Sequence, residues 1–156
     1  MSLNTTLEKV LEAHKNADTN GKKLLEDLYG KQYFLSIFDR VTSYETACEV
    51  LNLTPKSLSQ FEQLFNKDQA RRQFARHKLQ VACEAINEGW VADFENENQY
   101  KYYNWMYNKK NGLRLFGTCN FDCSHTSSDL CLETAKKCDH VALHMKSEYA
   151  TYLFGY

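Results

Sequence analysis

The stretch KDQARRQFARHKLQVACEAINE, Lys67–Glu88, decides how the rest of the chain is read. It contains no glycine or proline. At about 100° per residue, Phe74, Ala75, Leu79, Val81, Ala82, Ala85 and Ile86 fall on one face, the mark of an amphipathic helix. Gly89 stops it, and Trp90 opens an acidic connector containing Asp93, Glu95 and Glu97.

Working toward the N-terminus, the pattern stays helical. Asn4 or Thr5 caps a helix to about Ala17, and ADTNG, Ala17–Gly21, reads as a turn. Leu24, Leu25, Leu28 and Tyr29 mark a second helix that Gly30 stops. Gln32–Val41 is aromatic and of mixed type. Thr42 or Ser43 caps a third helix through Leu51. Pro55 suits the first turn of a fourth, Lys56–Phe65, with Thr54 as its cap.

Working toward the C-terminus, the period changes. In YKYYNWMY, Tyr100–Tyr107, Tyr103, Trp105 and Tyr107 alternate; KKNG, Lys109–Gly112, is a turn; LRLFGT, Leu113–Thr118, is a second strand. Leu130–Leu132 reads as a short third strand, and a final helix runs from Glu133 to Phe154. The expected architecture is α+β: a helix-rich domain of about five to six helices with a small two- to three-stranded antiparallel sheet near the C-terminus. One domain over 1–156 is expected, with 1–89 mainly helical and 99–156 a β-hairpin plus C-terminal helix.

With 43% hydrophobic and 13% aromatic residues, the chain can bury a core without disulfide or metal staples. One proline and six glycines exclude collagen-like and low-complexity chains. A net charge of -1 leaves no global basic field for nucleic acid or an anionic membrane. No apolar run approaches the about 20 residues that span a bilayer. Met1–Lys15 lacks the apolar core of a secretory signal, so a cytosolic location is expected.

Four constellations bear on chemistry. Ser43–Gln60, with Cys48 at a small-residue position and Asn52 in the turn, has the spacing of a two-helix corner. As a DNA reader it offers only Lys56, Ser57, Ser59 and Gln60, opposed by Glu62. Lys67–Lys78 is basic, and Arg72 and Arg76, four apart, would grip phosphates or carboxylates; the alternative is a solvated helix face. Cys119, Cys123 and His125 are spaced C-x3-C-x-H, which is not a paired zinc knuckle, so no metal and no cofactor are expected. Tyr100, Tyr102, Tyr103 and Trp105, beside Lys109, Lys110 and Arg114, would stack single-stranded bases or, alternatively, cover a small sheet. No G-x-S-x-G, P-loop, dinucleotide fingerprint or H-E-x-x-H is present.

Five blocks in order, KKLLEDLYGKQ (22–32), SYETACEVLNLTP (43–55), AINEGWVADF (85–94), YKYYNWM (100–106) and SSDLCLET (127–134), resemble a family of small proteins of unknown function from Bacteroidetes genomes and the phages and prophages of those hosts. The resemblance implies a setting: a bacterial cytoplasm, an infected cell or a phage particle. Cys119, Cys123 and Cys138 are not part of that family's pattern. These readings lead to a non-catalytic, phage- or mobile-element-associated binding or assembly protein. Its partner would be a protein, a further copy of the chain, or weakly held single-stranded nucleic acid, with no membrane. The alternative class is a small hydrolase or transferase without a recognisable motif.

Overall fold

Asn66 starts the central helix: its Oδ1 accepts from the Gln69 amide at 3.0 Å, satisfying one of the orphan donors of the first turn. In the computed structural model, which describes residues 7–109, 112–121 and 130–155 (side chains over 9–104 and 130–155), this helix spans Lys67–Asn87. It ends where Glu88 and Gly89 turn left-handed, at φ 53° and 87°. Ala70, Ala75, Leu79, Val81, Ala82, Cys83, Ala85, Ile86 and Asn87 are its buried positions.

The chain divides into two compact units, Met1–Arg40 and Val41–Tyr156. In the first, α1 (Leu7–Asn16) and α2 (Thr19–Tyr29) are joined at Asp18, whose carboxylate caps α2 by accepting from Gly21 N at 2.8 Å. Gly30, at φ 88°, leads into a 3-10 turn, Lys31–Phe34, and α3 follows at Ile37–Arg40. His14 ties these pieces together, stacking on Phe34 at 4.0 Å and pairing with Glu26 at 3.0 Å.

The second unit is built around the central helix, α6. Preceding it are α4 (Tyr44–Val50), with a Ser43–Thr46 capping box, and α5 (Leu58–Glu62). Asn52 takes the left-handed conformation at φ 53°, which lets the chain turn between them. Tyr44 Oη accepts from Lys56 N at 2.7 Å, so the segment around Pro55 is held as a connector and helix begins later, after Ser57. After α6 come β1 (Lys101–Lys109), β2 (Gly112–Phe121), α7 (Ala135–His144) and α8 (Lys146–Phe154). The strands pair antiparallel, Lys101 with Phe121 and Lys109 with Gly112, with a register shift between Tyr103 and Trp105.

The expected α+β architecture of about five to six helices and a two- to three-stranded sheet is overturned. The described residues hold eight α-helices and no sheet layer; β1 and β2 form a lone ribbon on a helical framework. Leu130–Leu132 contributes one bridge, Leu132 to Tyr102, rather than a third strand. Its neighbouring carbonyls are engaged by α6: Leu130 O accepts from Cys83 Sγ and Cys131 O from Asn87 Nδ2 at 2.8 Å. The expected single C-terminal helix breaks at Met145 (φ −114°, ψ 26°), and the mixed segment 32–41 supplies α3.

Asn87 is the bolt between α6 and the C-terminal segment. Besides its bond to Cys131 O, its Oδ1 accepts from Glu133 N at 3.2 Å. Its own carbonyl accepts from the buried Lys137 Nζ at 3.4 Å, and Lys137 pairs with Glu133 at 2.7 Å. Replacing Asn87 by Ala leaves the Cys131 carbonyl and the Glu133 amide without this partner. We expect a loss of about 1–3 kcal/mol in urea unfolding at constant m-value; no change would show that these bonds carry no net stability.

Candidate binding groove

The residues that the sequence offered for nucleic acid do not assemble into one described surface. Arg72 is exposed and folded over the end of α8: a Cβ built on Gly155 would lie 2.7 Å from its Nη2. Arg76 is half-buried. Tyr100 is exposed, and Tyr102 and Tyr103 are half-buried. Tyr102 bridges Leu132, in the segment that Cys83 and Asn87 hold. Cys83 is already about 16 Å beyond Arg72 along α6 at 1.5 Å per residue. The tyrosines therefore belong to one end of α6 and Arg72 to the other. The side chains of Trp105, Lys109, Lys110 and Arg114 lie outside the described residues, as do Cys123, His125 and the side chains of Phe116 and Cys119.

The two-helix corner at Ser43–Gln60 serves packing. α5 is five residues long, and Gln60 Oε1 is occupied as a cap, accepting from Ser57 N at 2.8 Å. A reading helix needs several turns to lie along a groove, and five residues make barely more than one.

A groove does form along the other flank of α6. About 450 Å³ is lined by Leu53, His77, Gln80, Val81, Glu84, Asn87, Trp90, Val91, Ala92 and Cys131. His77, Gln80 and Glu84 fall within about 60° of one another on the helix, so they form a polar stripe beside an apolar floor. Leu53 is 47% exposed and Val91 77%. Sequence reasoning passed over these positions because Trp90 opens an irregular connector. The signal was the stripe at 77, 80 and 84 leading into that tryptophan.

His77 packs edge-on against Tyr44 at 5.9 Å and lies tilted against Phe61 at 5.7 Å. Burial pushes its pKa below the ordinary value, and the nearby Lys56 charge adds to the effect. It is a neutral hydrogen-bonding group at pH 7. His77 and Glu84 stand two turns apart, about 10 Å of rise, which suits holding a ligand at two points. A smaller cleft of about 290 Å³ opens on the opposite side, between Leu58, Arg71, Phe74 and Lys78 and the α8 residues Ser147, Glu148 and Thr151. Lys78 spans it, over the Phe74 ring at 4.8 Å and 3.5 Å from Glu148.

Charge is segregated along this unit. Lys67–Lys78 carries Lys67, Arg71, Arg72, Arg76 and Lys78 against Asp68. Leu79–Tyr100 carries Glu84, Glu88, Asp93, Glu95 and Glu97 and no lysine or arginine. The order opposes the helix macrodipole, which favours acids at the start of α6 and bases at its end by about 0.3–1 kcal/mol each.

Among the described residues no group of three or more His, Cys, Asp or Glu is placed to hold a metal. Cys48, Cys83, Cys131 and Cys138 are buried thiols. Cys138 Sγ donates to Asn104 Oδ1 at 3.2 Å, and Asn104 Nδ2 donates to Tyr149 Oη at 3.2 Å. On α7, His140 Nε2 donates to the Val41 carbonyl, and the His144 ring lies 4.4 Å from that of His140. No described helix is long and apolar enough to cross a membrane. Compared with protein-family models, curated proteins and solved structures, the chain matches none.

These environments set a pH profile. Burial lifts the Tyr149 phenol well above its ordinary 10.0, so the native state keeps a proton that the unfolded chain releases. The contribution of Tyr149 to stability should be full below pH 10.0 and fall as pH rises above it. His77 and His144 are held below 6.5, chiefly by burial, so the unfolded chain takes up protons first as pH drops. Stability should therefore also fall below pH 6.5. Urea unfolding across the range tests both limbs; Tyr149→Phe should flatten the alkaline limb, and His77→Gln the acid one.

Proposed function

We propose that this chain is a non-catalytic binding and assembly protein whose groove beside α6 receives a protein segment bearing an apolar anchor next to a cation. The observation that carries this reading is the groove's composition. Leu53, Val81, Trp90 and Val91 give an apolar floor, Gln80 and neutral His77 supply hydrogen-bonding groups, and the ionised residue of the lining is Glu84. The connector that continues from the groove adds Asp93, Glu95 and Glu97. An aromatic floor with a carboxylate rim suits a lysine or arginine laid over Trp90 beside a buried apolar side chain.

An acidic border repels phosphate, so nucleic acid is not the ligand of this groove. The setting we propose is a bacterial cytoplasm, an infected cell or a phage particle, in line with the resemblance of the five sequence blocks. Binding there requires no cofactor and no bond-making step, because the groove's chemistry is that of recognition: shape, one charge and a few hydrogen bonds.

Selection of a random peptide library on the immobilised protein tests this. Enriched peptides should place Lys or Arg beside an aromatic or branched apolar residue. Trp90→Ala and Glu84→Lys should each weaken them about tenfold or more, equivalent to about 1.4 kcal/mol. Peptides lacking a basic residue, or binding Glu84→Lys as well as wild type, would overturn the assignment.

A further inference from the structure

The groove reading leaves its occupant open, and the same unit carries a surface that matches it. At the corner between α5 and α6, Leu64 is 77% exposed and Phe65 40%. The corner is held open by its own backbone: both amides donate to Phe61 O at 3.0 Å. Immediately beyond it, Lys67 and Arg71 stand one turn apart on α6, both exposed. An apolar knob beside two cations is the complement of an apolar floor beside Glu84 and an acidic connector.

We propose that the groove's occupant is a second copy of this chain, which inserts Leu64 and Phe65 and sets Lys67 and Arg71 against Glu84 and the 93–97 acids. This rests on the groove being a protein-binding site. Within one copy the two surfaces cannot meet, because Lys67 and Glu84 lie on one continuous helix with about 25 Å of rise between them. Knob and groove are different patches, so the contact is heterologous. Each copy that fills a groove presents its own groove to the next, and the product is a ring or an open filament. The charge order along α6 thereby acquires a reason: poles that oppose the macrodipole in one copy neutralise each other between copies. A net charge of -1 sets little repulsion against the association. A groove of about 450 Å³ takes only a few side chains, so the contact belongs to the weak, salt-sensitive class.

Sedimentation velocity on the full chain tests the proposal. In about 50 mM salt the weight-average sedimentation coefficient should rise with protein concentration, and in about 500 mM salt that rise should be lost. Leu64→Asp, Lys67→Glu/Arg71→Glu and Glu84→Lys change exposed positions. Each should keep the wild-type circular dichroism spectrum and sediment as a monomer. Mixing the Lys67→Glu/Arg71→Glu protein with the Glu84→Lys protein should restore association, because each then offers the other a complementary pole. A wild-type chain that stays monomeric at low salt would overturn the proposal, as would Leu64→Asp associating like wild type or a mixture that fails to recover. If such a monomer still binds selected basic peptides, self-assembly alone falls. If it binds none, the groove assignment falls with it.

Discussion

Alanine on α6 sets how closely the rest of the second unit can approach. Ala70, Ala75, Ala82 and Ala85 are buried between the larger Leu79, Val81 and Ile86. Small side chains bring neighbouring backbones near, and near backbones place polar groups within bonding distance. Cys83 and Asn87 reach the 130–131 carbonyls because α6 lies that close. Lys78 reaches Glu148 on α8 in the same way. With one face committed to this packing, His77, Gln80 and Glu84 lie on another flank, where they line the groove.

Polar groups meet where the start of β1 packs against the last two helices. Cys138, Asn104 and Tyr149 form a chain of hydrogen bonds under the start of β1. Such a network is stabilising only while every member is satisfied, so it fixes one arrangement of the ribbon against the helices. The register shift after Tyr103 begins beside Asn104. The bulge and the half-buried Asn104 amide together mark where the ribbon leaves the helical framework.

The local code of the helices was legible in the sequence. The 3.6-residue stripe in Lys67–Glu88, the stop at Gly89 and the left-handed turn at Asn52 all follow from residue type and spacing. What was hidden is settled by partners distant in sequence. Leu130–Leu132 has the composition of a strand, yet α6 side chains claim two of its carbonyls and one bridge remains. No glycine or proline announces the break at Met145. Pro55 opens no helix because Tyr44, twelve residues before Lys56, accepts from the Lys56 amide. The same limit governs function: Leu53 and Trp90, far apart in sequence, line one groove only once the corner and the connector fold against α6.

Two ammonium groups are sequestered at the acidic end of this unit. Lys101 is 2% exposed, its Nζ donating to the carbonyls of Asn96 and Gln99 at 3.1 and 2.9 Å. Lys137 is 8% exposed and bound to Glu133 and Asn87. Amine-reactive probes acylate what they can touch, so in the native chain these two should lag far behind Lys67 or Lys146. Their rate of acylation becomes a clock for local opening, one at the connector and one at the start of α7. Trypsin reads the same clock by cleavage.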